Sequence, residues 1–193
     1  MGHRLLPLLA VLAALLLAGC GPTGPAEQGG RPAEPVALLR VLPVPLGLRD
    51  AQPATEVDPP ALLQAMTGSG DPALAARLRE AGGLRQAGVR SFAAPGGGRL
   101  VASVAVWPAR LIAANLALTV AQQRLGDPGV RAWTPQELPA TQGVREEGGD
   151  RERVLARSVG PNTIVIRATG DVPDDAVVRT MQRLVTVQEV RGG

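Results

Sequence analysis

Carboxylates are the main side chains of this chain that could carry out catalysis, and their densest cluster spans residues 146–152. Glu146, Glu147, Asp150 and Glu152 all lie in that stretch. Two carboxylates held about 5–10 Å apart suffice for glycoside hydrolysis. Three arginines are interspersed with them: Arg145, Arg151 and Arg153. We therefore interpret the stretch as a solvated, charge-balanced loop and keep a carboxylate-based hydrolase as an alternative hypothesis.

A second acidic pair, Asp174-Asp175, follows Val172-Pro173 near the end of the chain. Carboxylates stabilise the positively polarised N-terminus of a helix, so this pair predicts where the last helix starts. Neither acidic group has the alternating spacing of a calcium-binding loop. The run 96–98 is three glycines with no lysine and no helix directly after it, which favours a hairpin turn over a phosphate-binding loop. We expect no cofactor.

The residue types of most other catalytic sites are almost missing. The chain contains one histidine, His3, one cysteine, Cys20, and neither lysine nor tyrosine. If His3 belongs to a leader that is removed, no Ser-His-Asp triad or Cys-His dyad can form, and without lysine there is no Schiff base. A zinc site would lack both imidazole and thiolate. We therefore predict that the protein is not an enzyme and has no catalytic, cofactor-binding or metal-binding residues.

The first twenty residues have the pattern of a secretory signal peptide. Arg4 precedes an apolar run over 5–18, which is shorter than the about 20 residues that span a bilayer. The run ends in Leu-Ala-Gly-Cys at Cys20, and this tetrad resembles the lipobox of bacterial lipoproteins. The resemblance implies cleavage after Gly19 and acylation of the Cys20 sulfur. Several acyl chains would anchor the protein stably, whereas a single chain would not.

The resemblance also implies where the protein resides and how it is organised. A lipidated Cys20 would hold the chain to the cell membrane, facing the extracytoplasmic side. After the signal peptide, 1–19, the Gly- and Pro-rich stretch 20–35 predicts a disordered tether, and 36–193 predicts a single domain. The use of Arg alone for basic residues, with much Ala, Gly, Pro and Val, indicates a GC-rich genome. The arrangement resembles the small surface lipoproteins common in actinobacteria.

The elements predict an α+β fold. Residues 89–94 and 99–107 form one predicted β-hairpin, followed by a helix over 109–125. A second hairpin, 153–159 with 163–169, precedes the last helix. Such a chain suits an antiparallel sheet built from two hairpins, each followed by a helix packed on one face. The stretch 36–48 predicts an edge strand or extended covering segment, and 127–149 a long connection.

Helix signals place the remaining elements. Asp58-Pro59-Pro60 and Asp71-Pro72 predict the starts of two short N-terminal helices, which Gly68 and Gly82-Gly83 would end. In the helix over 109–125, leucines recur at intervals of seven, which predicts a buried stripe centred on Leu118. This stripe consists of Leu111, Leu118 and Leu125, and the alanines beside it, which would let the helix lie close to the sheet, are Ala114, Ala117 and Ala121. The predicted inner stripe of the last helix consists of Val177, Val178, Met181, Leu184, Val185 and Gln188.

Two tryptophans are the largest side chains of a chain that has one Phe and no Tyr. Trp107, at the end of a predicted strand, is interpreted as core. Trp133 lies in a polar stretch, where it would be either a core anchor or a surface recognition group.

The sequence thus favours a non-catalytic binding or scaffolding role at the cell envelope. The partners we expect are the membrane, through the lipid anchor, and an envelope protein. The alternative is a carrier or sensor domain that binds a lipid or another small apolar ligand. Nucleic acid is not expected, because nineteen arginines against seventeen acidic residues remain after the leader.

Overall fold

The computed structural model describes residues 34–69, 76, 83–148 and 150–192 and shows an α+β fold. Its elements, in chain order, are α1 (Pro35–Arg40), β1 (Arg49–Glu56), α2 (Pro59–Thr67), β2 (Gln86–Ala93), β3 (Arg99–Val106), α3 (Arg110–Gln122), β4 (Val130–Ala132), β5 (Gln142–Glu146), β6 (Arg153–Val159), β7 (Asn162–Thr169) and α4 (Asp174–Gly192). The strands form one seven-stranded sheet in the order β1-β2-β3-β7-β6-β5-β4, and all neighbours are antiparallel. The predicted fold class is confirmed.

Both predicted hairpins are present and form the middle of the sheet. The β2–β3 turn is closed by the Ala94 amide, which donates to the Gly98 carbonyl at 2.8 Å. Gly160-Pro161 joins β6 to β7, which pair up to Val159 and Asn162. β3 pairs with β7 along its whole length, and this pairing joins the two hairpins into one sheet.

The two edges of the sheet differ from the prediction. Residues 36–48 form most of α1 and the loop after it, and the edge strand is β1, which follows them. The predicted connection 127–149 contains two short strands, β4 and β5, which extend the opposite edge. Strands of three and five residues are too short to produce a readable alternation of apolar and polar residues.

Helices cover both faces of the sheet, so the predicted one-sided packing is wrong. α1 and α4 pack on the face that contains Leu100, Ala102 and Val104, while α2 and α3 pack on the face that contains Val101 and Ala105. The physical reason lies in β3, whose residues after Arg99 are buried on both sides. A strand that is apolar on both faces needs a layer on each.

The leucine stripe predicted for α3 is also wrong. Leu118 is 39% exposed and Leu111 71%, whereas Leu116 is 5% exposed. Successive helical residues are rotated by about 100°, so Leu118 points well away from its buried neighbour Ala117. The buried face consists of Ala113, Leu116, Ala117, Val120 and Ala121. Ala117 and Ala121, which the sequence places beside the leucines, do lie on that face, whereas Ala114 is exposed. Together with Ala113 they let the helix backbone approach the sheet closely, as expected.

The other helix predictions are confirmed where the structure describes them. The Asp58 carboxylate accepts a hydrogen bond from the Ala61 amide at 2.9 Å, and α2 ends at Gly68 in the left-handed conformation. All six residues predicted for the inner stripe of α4 are buried. Of the helix predicted after Asp71, only Ala76 belongs to the described residues, where it is helical.

A buried arginine fixes α1 to the sheet. Arg90 is 9% exposed and binds both carboxylate oxygens of Asp50, at 2.8 and 3.0 Å. Its second terminal nitrogen, Nη1, donates to the carbonyls of Leu39 and Leu42, at 3.0 and 2.6 Å. Its guanidinium also lies 4.8 Å from the centre of the Phe92 ring. One side chain therefore ties the C-terminal end of α1 to β1 and β2.

Candidate functional site

Cys20, the predicted lipidation site, lies outside the described residues, as does the predicted signal peptide. Of the predicted tether, 20–35, the structure describes only Glu34 and Pro35. Pro35 is buried and begins α1, so the folded domain includes the last residue assigned to the tether.

The acidic residues of 146–152 are charge-balanced by arginines, as predicted, but they are only partly solvated: Glu147 is exposed, whereas Glu152 is buried. The Glu152 carboxylate is 7% exposed and pairs with both Arg124 and Arg167. Glu146 lies 3.7 Å from the same Arg124 guanidinium. A hydrogen bond to Asp127 and contacts with Glu152 raise the pKa of Arg124, against the effect of burial. The Glu152 carboxylate is therefore engaged in two ion pairs inside the fold.

The acidic pair at the end of the chain begins the last helix as predicted. Asp174 and Asp175 occupy the first turn of α4. Asp174 lies 3.6 Å from each of Arg145 and Arg153, and Asp175 pairs with Arg179. Burial lowers the pKa of Arg153, and Asp174 partly offsets this. These carboxylates therefore stabilise the start of α4 and attach it to β5 and β6.

Trp107 belongs to the core, as predicted. It is 1% exposed, and its indole N–H donates to the Thr163 hydroxyl at 3.1 Å. That hydroxyl donates in turn to the Ala113 carbonyl at 2.9 Å. The chain of hydrogen bonds joins β3, β7 and α3 and leaves no surface for recognition at Trp107.

Trp133 is partly buried and partly exposed, so its position fits neither of the two interpretations left open by the sequence alone. Its half-buried side chain packs against the core between the sheet and α4, and it also lines a surface groove of about 520 Å³. We call this the Trp133 groove; its lining consists of Trp133, Thr134, Pro135, Gln136, Glu137, Asp174, Asp175, Val178, Arg179 and Gln182. One wall is the segment after β4 and the other is the first half of α4.

Local hydrogen bonds hold the first wall in place. The Trp133 amide donates to the Gly143 carbonyl at 2.8 Å, which continues the pairing of β4 with β5. A turn follows, in which the Leu138 amide donates to the Pro135 carbonyl at 3.0 Å. Leu138 is 4% exposed and anchors this segment in the core. The groove is therefore supported by packed structure on both sides.

The groove combines one apolar surface with many hydrogen-bonding groups. Trp133 and Val178 supply apolar area, while Gln136 and Gln182 supply amide groups. The charged groups are Glu137, Asp174, Asp175 and Arg179. Within the described part of the chain, no three His, Cys, Asp or Glu side chains cluster closely enough to hold a metal ion. The lining is thus equipped for recognition of a polar ligand that has an apolar face.

Sequence reasoning singled out Trp133 and Asp174-Asp175 but did not bring them together. It missed Gln136, Gln182 and Arg179, since an amide or a helical arginine is too common a feature to signal a site. The groove joins residues about forty positions apart. In the part of the chain that the structure describes, no helix is both long and apolar enough for a membrane span.

Comparison with known proteins yields a likeness of fold. No family model matches the chain, and no curated protein sequence does. Among solved structures, the extracellular domain of PknH from Mycobacterium tuberculosis is similar, with a TM-score of 0.50 and 13% sequence identity. The similarity covers 75% of this chain and 86% of that one. At this identity the likeness concerns the fold alone.

Proposed function

We propose that this protein is a lipid-anchored extracytoplasmic domain that binds a polar, ring-shaped ligand, of the saccharide class, in the Trp133 groove without catalysing a reaction. The observation that carries the binding role is the groove itself, in which a half-buried tryptophan faces the polar first half of α4.

Two independent features support the location. The apolar leader ends in the lipobox-like tetrad at Cys20. The fold is similar to that of an extracellular domain, the one of PknH. A small domain held outside the membrane by acyl chains accounts for both features.

The state of the carboxylates supports a non-catalytic role. Glu152 is bound by two arginines, and Asp174 lies beside two others. In the groove, Asp175 pairs with Arg179. Each of these carboxylates is thus engaged with arginines of the fold, which supports a structural role for them.

The lining favours a saccharide over a wholly apolar ligand. A pyranose ring presents C–H groups on one face, which stack on an aromatic ring, and hydroxyls at its rim, which bond to amides and carboxylates. Trp133 supplies the first contact, and Gln136, Gln182 and Glu137 supply the second. A lipid chain would leave these polar groups dehydrated and unpaired.

Ligand binding can be measured by saturation-transfer NMR and tryptophan fluorescence. The probes are a β-1,4-linked N-acetylglucosamine tetramer and the fluorescent fatty acid cis-parinaric acid. We expect the tetramer to bind and Trp133→Ala to weaken it about tenfold or more, which corresponds to about 1.4 kcal/mol. Leu111→Ala is the control because Leu111 is 71% exposed on α3, on the opposite side of the sheet.

The outcomes separate the hypotheses. Binding of parinaric acid that Trp133→Ala abolishes, with no response to the tetramer, would favour the apolar-ligand alternative. Equal affinity of Trp133→Ala and Leu111→Ala for the tetramer would refute the groove as its site. Near-ultraviolet circular dichroism, to which the buried Trp107 contributes, confirms that each variant is folded.

The anchor is tested at Cys20. Cys20→Ser should abolish partitioning into the detergent phase and block processing of the leader, because acylation requires the thiol. A Cys20→Ser chain that still partitions with membranes would show that the first twenty residues are an ordinary anchor.

A further inference from the structure

The loop that joins α1 to β1 exposes three apolar side chains. Leu46 is 83% exposed, and Val41 and Val44 are each 43% exposed. Leu46 lies at the tip of a turn in which the Leu48 amide donates to the Pro45 carbonyl at 3.0 Å. Three exposed apolar side chains on one short loop form a candidate interaction surface, since exposed apolar patches rimmed by polar residues mark such sites.

The loop is firmly attached to the domain. Leu42 is 4% exposed and belongs to the core, and its carbonyl accepts a hydrogen bond from Arg90. Pro43 and Pro45 restrict the backbone on either side of Val44 and leave fewer N–H groups that would lose water on contact with an apolar phase. The exposed side chains are therefore held outward by a stable base.

Positive charge surrounds this loop. Arg179 and Arg183, one turn apart on α4, line a pocket of about 220 Å³ together with residues 42–46. Arg183 forms no ion pair with a described residue, whereas Arg179 pairs with Asp175. Residues 35–49 contain no acidic side chain, and Arg40 and Arg49 flank the loop in sequence. Apolar side chains bordered by arginines match the interface of an anionic bilayer.

The start of the domain lies beside this loop in sequence. Glu34 precedes α1, and Cys20 lies fourteen residues before Glu34. Fourteen residues span at most about 50 Å, and a Gly-rich coil of that length averages about 20 Å between its ends. An acylated Cys20 would therefore hold the loop within reach of the membrane and give it a high effective concentration there.

We propose that residues 41–48, with Arg179 and Arg183, dock on an anionic membrane surface, with Leu46 inserted at the interface. This inference rests on the lipid anchor of the proposed function. Arg179 also lines the Trp133 groove, so docking would open that groove beside the membrane.

Depth-dependent quenching of a fluorophore tests the docking. The acylated full chain carries no free thiol, so Leu46→Cys and Leu111→Cys each introduce a single labelling site for an environment-sensitive dye. Leu111 is the matched control, 71% exposed on α3 on the opposite face of the sheet. The proteins are placed in phosphatidylcholine vesicles with about one third phosphatidylglycerol, a charge density relevant to basic surfaces, and with a lipid-borne doxyl quencher.

We expect the dye at position 46 to show a blue-shifted emission and at least about twofold stronger quenching than the dye at position 111. This difference should disappear in the double variant Arg179→Gln/Arg183→Gln and in vesicles of pure phosphatidylcholine. Equal quenching at 46 and 111 in protein that floats with the vesicles would overturn the docking and leave the anchor intact. A blue shift that grows with protein concentration, without quenching, would assign the surface to a second copy and also overturn it.

Failure of the anchor is detected separately, as protein that does not float with the vesicles. The same two labels are then compared in the unacylated Cys20→Ser chain mixed with the same vesicles. A response at 46 alone supports the surface by itself, and no response at either position overturns it.

Discussion

Replacing Leu116 and Leu118 separately by alanine tests the packing of α3 with two identical changes on one helix. Leu116 is 5% exposed and packs between α3 and the sheet, whereas Leu118 is 39% exposed. Full burial of a leucine side chain is worth about 1.5–3 kcal/mol, and the cavity left by its loss brings Leu→Ala to about 2–5 kcal/mol. We expect Leu116→Ala to cost a value in that range.

Leu118→Ala should cost about 1 kcal/mol or less, because much of the side chain is already hydrated and alanine favours the helix by a few tenths of a kcal/mol. In urea, a loss of about 3 kcal/mol lowers the unfolding midpoint by about 1.5 M when the slope is about 2 kcal/mol/M. The Leu118→Ala midpoint should fall by about 0.5 M or less. An equal or larger fall for Leu118→Ala would refute the assignment of the buried face.

Three further changes test other contacts of the fold by the same unfolding measurement. Arg90→Met should lower the free energy of unfolding by about 2–4 kcal/mol, because it leaves buried carbonyls unpaired. Asp50→Asn should lower it by about 1 kcal/mol or less, because Asp50 is half-exposed. Similar losses for the two variants would contradict the assignment of Arg90 as the buried partner. Gly143→Ala should lower Tm by about 5 °C or more, since an added Cβ would clash with the Val154 carbonyl oxygen. An unchanged Tm would show that β5 and β6 move apart at this point without loss of stability. Glu152→Gln should lower the free energy of unfolding by about 1–3 kcal/mol. The loss should be smaller in high salt, because the arginine partners are only partly buried. A loss that does not depend on salt would exclude the ion-pair explanation.

The central elements of the fold could be predicted because their signals are local. The β2–β3 and β6–β7 hairpins have period-two strands around turn residues, and α2 has the Asp58 cap and the Gly68 end. The inner stripe of α4 follows from apolar spacing on one long helix. Alternation, caps and turns act over a few residues, so one sequence contains them in full.

The arrangement of these elements depends on tertiary contacts. β3 is buried on both faces, but its sequence does not reveal which helix covers which face. In α3, three alanines and Leu116 lie inside whereas Leu111 and Leu118 lie outside, because a close approach to the sheet favours small side chains on most of that face. The short strands β4 and β5 exist because β6 offers an open edge to pair with.

By itself, the sequence predicted a leader with a lipobox-like end at Cys20, showed the scarcity of catalytic residue types and predicted the α+β class. These depend on composition and short patterns, which need no partner elsewhere in the chain. Only the tertiary structure decided that Glu152 is buried between arginines and that Trp133 and the first half of α4 form one groove. A groove or an ion-pair cluster exists only when distant segments pack together, and that packing is set by the global balance of burial, which no single stretch of sequence contains.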